Sequence, residues 1–276
     1  MNFTFRRTYT GSIKLAVFDW AGTTIDYGCC APAAAFIEGF KRKGVEITMA
    51  QARAPMGLEK REHIKMITEM ESVALAWQKE HGRFVTEEDI DEMYYDFVPA
   101  LLDVLSEYAQ LIPGTLNTMS VLRQQGIKIG ASTGYFEEAM QICMEAAEHQ
   151  GYKPDFSICA TKVPNGRPAP WMIYEIMKEL NVYPTEAVVK IGDTVPDIQE
   201  GLNAGTWTIG VALAGNEVGL TQAEWEALSA AEQGQRLEYA INQLAQAGAH
   251  FVVDTIADVP QVIQEINRRL KNGERP

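Results

Sequence analysis

Asp19 stands at the end of a short apolar run and is followed at once by small residues. Residues 15–18 read Leu-Ala-Val-Phe, and Asp-Trp-Ala-Gly-Thr follows at positions 19–23. A continuous apolar run of this length predicts a buried parallel strand, and open α/β sheets bind ligands at the carboxyl ends of their strands. We therefore expect Asp19 to face a crevice, beside a loop whose free N–H groups suit an anion.

Other polar groups recur at or near the ends of later predicted strands. Because the carboxyl ends of parallel strands meet at one edge of a sheet, groups that are far apart in the sequence can converge there. The residues concerned are Thr133 with Gly134, Asp193 with Asp197, and Arg167, which precedes a predicted helix.

The chemistry that these groups suggest is phosphoryl transfer. Two carboxylates and a backbone carbonyl suit a hard cation that keeps some of its water, which indicates Mg²⁺. A hydroxyl, an arginine and loop N–H groups can hold phosphoryl oxygens, and a carboxylate beside the metal is a candidate nucleophile toward phosphorus. Each residue alone has an ordinary alternative: Thr133 as a turn hydroxyl, Arg167 as a surface charge and Asp197 as a helix-start residue.

The surrounding pattern predicts an α/β fold with a Rossmann-like parallel sheet. Strand signals alternate with helical periodicity, except between residues 31 and 108, where only helices are indicated. We interpret this as a core domain of residues 1–29 and 109–276 with an inserted α-helical cap domain of residues 30–108. Residues 221–247 form a further helical segment with two capping boxes. The predicted strands are 13–19, 127–133, 156–160, 187–193, 207–211 and 251–254.

The composition limits the classes of binding partner and the cellular compartment that we expect for this protein. The 276 residues carry a net charge of −13, which disfavours nucleic acid and anionic membranes as partners. Four cysteines are too few for a disulfide framework, and no apolar run approaches the ~18 residues of a membrane span. Residues 1–10 lack the apolar segment of a signal peptide. We expect a cytoplasmic protein.

Four segments resemble the ordered motifs of the haloacid-dehalogenase-like superfamily. That superfamily also inserts a helical cap after the first strand, so the resemblance spans nearly the whole chain. The matching segments are Asp19-x-Ala21-Gly22-Thr23, Ser132-Thr133-Gly134, Gly166-Arg167-Pro168 and Gly192-Asp193-Thr194-x-x-Asp197.

Ala21 departs from the pattern of the phosphatases in this superfamily. Those enzymes usually have Asp-x-Asp, and the second Asp protonates the leaving oxygen. The methyl group of Ala21 cannot transfer a proton. Either the protein is an impaired phosphatase, or its leaving group needs no proton on oxygen. A carbon leaving group meets the second condition but requires an electron sink.

Lys60 is a candidate for making that sink. It follows Pro55-Met56-Gly57 and occupies the first turn of a predicted helix. A lysine amine condenses with an aldehyde to an iminium, and cleavage of a C–P bond β to that group releases an enamine. The amine must be neutral, which requires its pKa to fall from about 10.4 to ~7–8 through burial and nearby cations. His63, three residues on, shares the helix face and could move protons. The ordinary alternative is an exposed lysine.

Together these segments resemble the phosphonoacetaldehyde hydrolase family. The resemblance implies that Asp19 is the nucleophile, that Lys60 forms a Schiff base with phosphonoacetaldehyde, and that the protein is a homodimer. It further implies Mg²⁺ held by Asp19, Asp193 and the Ala21 carbonyl, and phosphate binding by Gly22, Thr133, Gly134 and Arg167. The resemblance also implies a supporting role for Asp197 and a site lined by Met56, His63, Cys29 and Tyr135.

Other functions remain open on the sequence alone. A phosphatase or phosphomutase of the same superfamily would need a proton donor other than residue 21 and would tolerate loss of Lys60. A dehalogenase fits less well, because its chemistry gives Asp193 no metal to bind. A phospho-accepting signalling module would have no use for a cap of this size.

Overall fold

Six parallel strands form one sheet in the computed structural model, which describes residues 8–276. The strand order is β3-β2-β1-β4-β5-β6, so β1, which delivers Asp19, lies in the centre. The predicted fold class is confirmed. The prediction that residues 1–10 do not form a signal peptide concerns mainly residues 1–7, and these lie outside the described residues. The strands are β1 (Leu15–Phe18), β2 (Lys128–Thr133), β3 (Phe156–Cys159), β4 (Val188–Gly192), β5 (Trp207–Val211) and β6 (Phe251–Val253).

The helices cover both faces of the sheet and continue between β1 and β2 as an insert. They are α1 (Cys30–Arg42), α2 (Met49–Arg53), α3 (Lys60–Thr68), α4 (Glu71–His81), α5 (Glu87–Tyr108), α6 (Thr115–Gln124), α7 (Glu137–His149), α8 (Trp171–Glu179), α9 (Val195–Ala204), α10 (Gln222–Ala227), α11 (Ala230–Gln246) and α12 (Val259–Lys271).

Both faces of β1 are buried, which explains its unbroken apolar sequence. Leu15 and Val17 belong to a hydrophobic cluster that α8 covers. Ala16 and Phe18 point the other way, into a larger cluster that includes residues of α6 and α12. A strand covered on both faces has no position for a polar side chain until it ends. The first carboxylate therefore appears where β1 stops, at Asp19.

The helical insert, defined here as α1–α5, packs into the same large cluster as the sheet. Phe36 of α1 and Phe97 of α5 stack with ring centroids 4.4 Å apart, and both share that cluster with Ile129 of β2. The predicted boundaries at residues 30 and 108 coincide with the start of α1 and the end of α5. The division into two domains stays a prediction.

Local sequence signals predicted several helix starts. The two capping boxes predicted within residues 221–247 begin at Thr221 and Ser229, and both are present; another begins α2 at Thr48. The helix predicted from residue 168 begins later, at Trp171, after three residues of turn. Among the described helices, none combines the length and apolar character needed to cross a membrane. All four cysteines are free.

Phe97→Ala should destabilise the protein by about 3–5 kcal/mol, because it leaves a cavity between the insert and the sheet. Denaturant unfolding measures this loss. Tyr95, on the same helix and 79% exposed, provides the control. Tyr95→Ala should change the free energy of unfolding by no more than ~0.5 kcal/mol. Equal losses in the two variants would contradict the shared cluster.

Candidate active site

Asp19 leaves β1 with its backbone tied to the neighbouring strand. Its N–H donates to the Ile191 carbonyl at 2.9 Å, and the residue is 5% exposed. The Thr24 hydroxyl donates to the Asp19 carbonyl at 3.0 Å. Burial raises the pKa of the Asp19 carboxyl to about 6, although the nearby Arg167 opposes this effect. The carboxylate is thus held rigidly at the carboxyl edge of the sheet.

Arg167 joins Asp19 to two other carboxylates. Its guanidinium lies 2.6 Å from Asp19 Oδ1, 3.1 Å from Asp197 Oδ1 and 3.0 Å from Glu200 Oε2. It also donates to the Ser132 carbonyl at 2.9 Å. The side chain is 1% exposed, so Arg167 is not the surface charge of the ordinary alternative. The predicted convergence of Asp19, Arg167 and Asp197 is what the structure contains.

Lys190 is a second buried cation in this cluster, and our sequence reasoning missed it. Its ammonium lies 2.8 Å from Asp197 Oδ1 and 3.3 Å from Glu200 Oε2, and it donates to Ser132 Oγ at 2.9 Å. Lys190 and Arg167 therefore share the same two carboxylate oxygens. The signal was present as a single lysine within the apolar strand β4, where a charge needs a buried partner.

Asp193 lies beside Asp19, but no lysine or arginine within residues 8–276 forms an ion pair with it. Its carboxylate accepts from the Thr23 hydroxyl and from the Asn216 N–H, each at 2.8 Å. Burial raises its pKa well above the usual range, and the negative charges of Asp19 and Asp197 raise it further. One oxygen from each of these three aspartates lies within 4.8 Å of the other two. This excess of buried negative charge fits a divalent cation held by oxygen ligands.

Asp197 differs from the other two aspartates because two cations of the protein contact its carboxylate. Oδ1 contacts Arg167 and Lys190, and Oδ2 accepts from the Thr194 hydroxyl in a capping box that starts α9. Burial alone would raise the pKa of Asp197, but the two cations outweigh it and lower the pKa. The expected helix start is therefore present, together with a charge role in the cluster.

Gly22 does not offer the free N–H that we predicted for phosphate binding. That N–H donates to the carbonyls of Ile25 and Asp26, at 2.8 and 3.1 Å, and the Thr23 N–H donates to the Trp20 carbonyl at 3.3 Å. The loop after Asp19 satisfies these groups by folding on itself. Gly22 is required for another reason: its φ is +84°, and an added Cβ would collide with the Asp193 carboxylate.

Lys60 begins α3, as predicted, and the sequence before it fixes that start. Glu59 caps the helix by accepting from the N–H groups of Arg61 and Glu62, each at 3.1 Å. Lys60 is therefore in the first turn, where its side chain can leave the helix end. It is 3% exposed, so the ordinary alternative of a solvated lysine does not hold.

The surroundings of Lys60 are apolar and aromatic. Its Nζ lies 5.0 Å from the ring centroid of Tyr135 and 5.9 Å from that of Phe36. Within residues 8–276, no carboxylate lies within ion-pairing distance of it. Burial lowers the pKa of Lys60, and Arg167 adds to this, against opposing effects of Cys29 and Asp19. The neutral amine is thereby favoured.

A small cavity brings Lys60 and Asp19 together across the sheet and the insert. It encloses about 20 Å³, which is room for a single water. An added Cβ at Gly134 would collide with the backbone of Gly57 and Leu58 in the insert, so the two parts meet closely. Any phosphoryl compound is larger than this space. Other predicted residues that line the cavity are Ala21, Cys29, Met56, Thr133, Gly134, Tyr135 and Arg167.

His63 is not among the lining residues, contrary to our expectation. Its ring stacks on Phe36 with centroids 3.9 Å apart, and Nε2 contacts the Ala52 carbonyl at 2.8 Å. Burial lowers its pKa well below the usual range, and the charge of Lys60 lowers it further. The residue shares the helix face of Lys60, but the Phe36 ring holds it within the insert. His63 is therefore a neutral packing group behind the site.

Comparisons with known proteins cover the sheet and the insert alike. A family model for haloacid dehalogenase-like hydrolases matches residues 13–205. The chain is 48% identical over 274 residues, 99% of each chain, to the phosphonoacetaldehyde hydrolase of Syntrophobacter fumaroxidans. It is 48% identical over 257 residues to that of Bacillus mycoides, covering 93% of this chain and 97% of the relative. The crystal structure of a phosphonoacetaldehyde hydrolase-like protein from Oleispira antarctica matches with a TM-score of 0.97 at 43% identity, over 100% of both chains.

Lys190→Met should destabilise the protein by about 3–5 kcal/mol, because it leaves buried carboxylates with one cation instead of two. The double variant Lys190→Met/Glu200→Gln removes a charge of each sign and should recover most of the loss. Both are measured by denaturant unfolding. The exposed Lys178, paired with Glu175, is the control, and Lys178→Met should cost no more than ~0.5 kcal/mol. A Lys190→Met variant as stable as that control would contradict the shared ion-pair cluster.

Proposed function

Because the chain belongs to the phosphonoacetaldehyde hydrolase family of the haloacid dehalogenase-like hydrolases, we propose that it hydrolyses the C–P bond of phosphonoacetaldehyde. The products are acetaldehyde and inorganic phosphate. One observation carries the proposal: Lys60 and Asp19 line the same small cavity, with Ala21 in the position of the usual proton donor. The Lys60 amine and the Asp19 carboxylate, without an acid at position 21, match a reaction whose leaving group is carbon.

Lys60 acts first in this proposal. Its neutral amine adds to the aldehyde carbon, and loss of water gives an iminium that carries the phosphonate on the adjacent carbon. The lowered pKa and the lack of an ion pair favour the amine that this step needs. The rings of Tyr135 and Phe36 exclude water and suit the cation that forms.

Asp19 then attacks phosphorus. The C–P bond breaks, its electron pair forms the C=C π bond of the enamine while the C=N π pair moves onto the Lys60 nitrogen, and the phosphoryl group is transferred to the Asp19 carboxylate. Arg167, which already contacts Asp19 at 2.6 Å, is placed to bind a phosphoryl oxygen, and Thr133 lines the same cavity. Bound Mg²⁺ would add positive charge at the phosphoryl oxygens, with Asp19, Asp193 and the Ala21 carbonyl as its protein ligands.

Two hydrolyses complete the turnover. Water attacks the aspartyl phosphate, which releases inorganic phosphate and restores Asp19. The enamine takes a proton at carbon, and water hydrolyses the resulting iminium to acetaldehyde and free Lys60. In the two steps at phosphorus the leaving groups are the enamine carbon and the Asp19 carboxylate, so neither needs an acid at residue 21 and Ala21 is sufficient at its position. Closure of the helical insert over the substrate brings Lys60 to the sheet and excludes bulk water.

The alternative functions explain fewer features of the site. A phosphatase or phosphomutase gives no reason for a buried lysine free of carboxylate partners beside Asp19. A phospho-accepting signalling module gives no reason for the insert that encloses the site. The proposal also includes the homodimer and the cytoplasmic location that the family resemblance implies.

Borohydride trapping tests the covalent step. After incubation with phosphonoacetaldehyde and reduction, peptide mapping should find an ethyl group on Lys60, because the C–P bond has been cleaved before the imine is reduced. In Asp19→Ala, the adduct on Lys60 should retain the phosphonate, because no nucleophile removes it. Phosphate release should be abolished in that variant and in Lys60→Ala.

The control is Lys65, on the same helix and paired with Glu87 at 3.5 Å. Lys65→Ala should leave both the trapping and the phosphate release as in the wild type. The mechanism would be contradicted if the Lys60 peptide carried no adduct. It would also be contradicted if Lys60→Ala released phosphate at the wild-type rate. The second result would favour the phosphatase.

A further inference from the structure

Arg53 binds two other segments of the chain beside the site without lining the cavity. It is the last residue of α2 in the helical insert. Its Nη1 donates to the Gly28 carbonyl at 2.7 Å, the Cys29 carbonyl at 3.3 Å and Asn216 Oδ1 at 3.1 Å. The first two acceptors belong to the connection between β1 and α1, and the third lies in the loop that follows β5. One guanidinium therefore joins the insert, its connection and the edge of the sheet.

Asn216 extends this link to Asp193. Its backbone N–H donates to Asp193 Oδ2 at 2.8 Å, while its side-chain Nδ2 returns a hydrogen bond to the Arg53 carbonyl at 3.3 Å. The residue is 5% exposed. The pairing of Arg53 and Asn216 is thus reciprocal, and it fixes the N–H that orients one oxygen of Asp193.

The loop that carries Asn216 is anchored to the end of β6, because the N–H groups of Ala212 and Leu213 donate to the carbonyls of Val253 and Asp254 at 3.0 and 2.9 Å. After β5 it contacts the β1–α1 connection through the Gly28 N–H, which donates to the Ala214 carbonyl at 2.8 Å. No helix of the described residues starts until α10 at Gln222. Within residues 8–276, the side-chain hydrogen bonds that join Asn216 to another segment both involve Arg53, so the seating of α2 adds a restraint at this position.

We propose that Arg53 and Asn216 are positioning residues that couple the seating of the helical insert to Mg²⁺ binding at Asp193. When α2 is seated, Asn216 holds Asp193 in its ligating orientation; when α2 moves away, Asp193 loses that restraint. Such coupling is reciprocal, so a bound cation also favours the seated insert. Hydrogen-bond partners of metal ligands commonly control metal affinity in this way. The inference rests on the proposed function in taking Asp193 as a metal ligand.

Calorimetric titration with Mg²⁺ alone, without substrate, measures the coupling. Arg53→Gln should weaken the affinity for Mg²⁺ about tenfold, and Asn216→Ala should do the same although it keeps the N–H that contacts Asp193. Because both residues act through one link, the double variant should be no weaker than the weaker single variant. The control is Arg42, an exposed residue of α1 paired with Glu38. Arg42→Gln should change the affinity by less than about twofold.

Hydrogen exchange tests the reverse direction. Mg²⁺ should slow amide exchange in residues 49–53 of the wild type but not of Asn216→Ala, which remains usable even where Arg53→Gln fails to fold. Unchanged Mg²⁺ affinity in Asn216→Ala, additive losses in the double variant, or a wild type that binds no Mg²⁺ would overturn the coupling. A wild type that binds Mg²⁺ with the predicted coupling but does not cleave phosphonoacetaldehyde would overturn the proposed function alone.

Discussion

Buried negative charge at the carboxyl edge of the sheet is the constraint on which the rest of the site depends. Two buried cations, Arg167 and Lys190, share oxygens of the same two carboxylates. They cannot balance all the buried acids, and the remaining charge fits a divalent cation. These carboxylates are costly to bury without enough cations, so their arrangement suits a metal ion. The carboxylates are Asp19, Asp193, Asp197 and Glu200.

Lys60 is kept out of this charge cluster, and that separation is what the proposed chemistry requires. A lysine paired with a carboxylate would stay protonated, whereas one held among aromatic rings has a lowered pKa. In the proposed mechanism, the sheet supplies the nucleophile and the anion site, and the insert supplies the amine. The two halves meet at Gly134, where there is room for backbone but not for a side chain. Catalysis on this account needs a closed insert, and substrate entry needs an open one.

The features that could be predicted from the sequence are those that depend on the ends of strands and on helix caps. Asp19, Thr133 and Asp193 could be found because each follows a buried apolar run, and Lys60 because Ala21 called for an electron sink. Lys190 was missed because its partners come from other elements. Gly22 and His63 were misjudged for physical reasons: a loop can satisfy its own N–H groups, and a shared helix face does not say how deeply a side chain lies. Arg53 and Asn216 are 163 residues apart in the sequence, so no local sequence pattern indicates that they pair.

The most direct test of the central claim is whether Asp19 can accept phosphorus only when Lys60 is present. Rapid acid quench of the protein with phosphonoacetaldehyde and Mg²⁺, followed by mass spectrometry of the Asp19 peptide, detects the aspartyl phosphate. The account predicts a phosphoryl group on Asp19 in the wild type and none in Lys60→Ala, because without the iminium the C–P electrons have no acceptor. Phosphorylation of Asp19 in Lys60→Ala would contradict it.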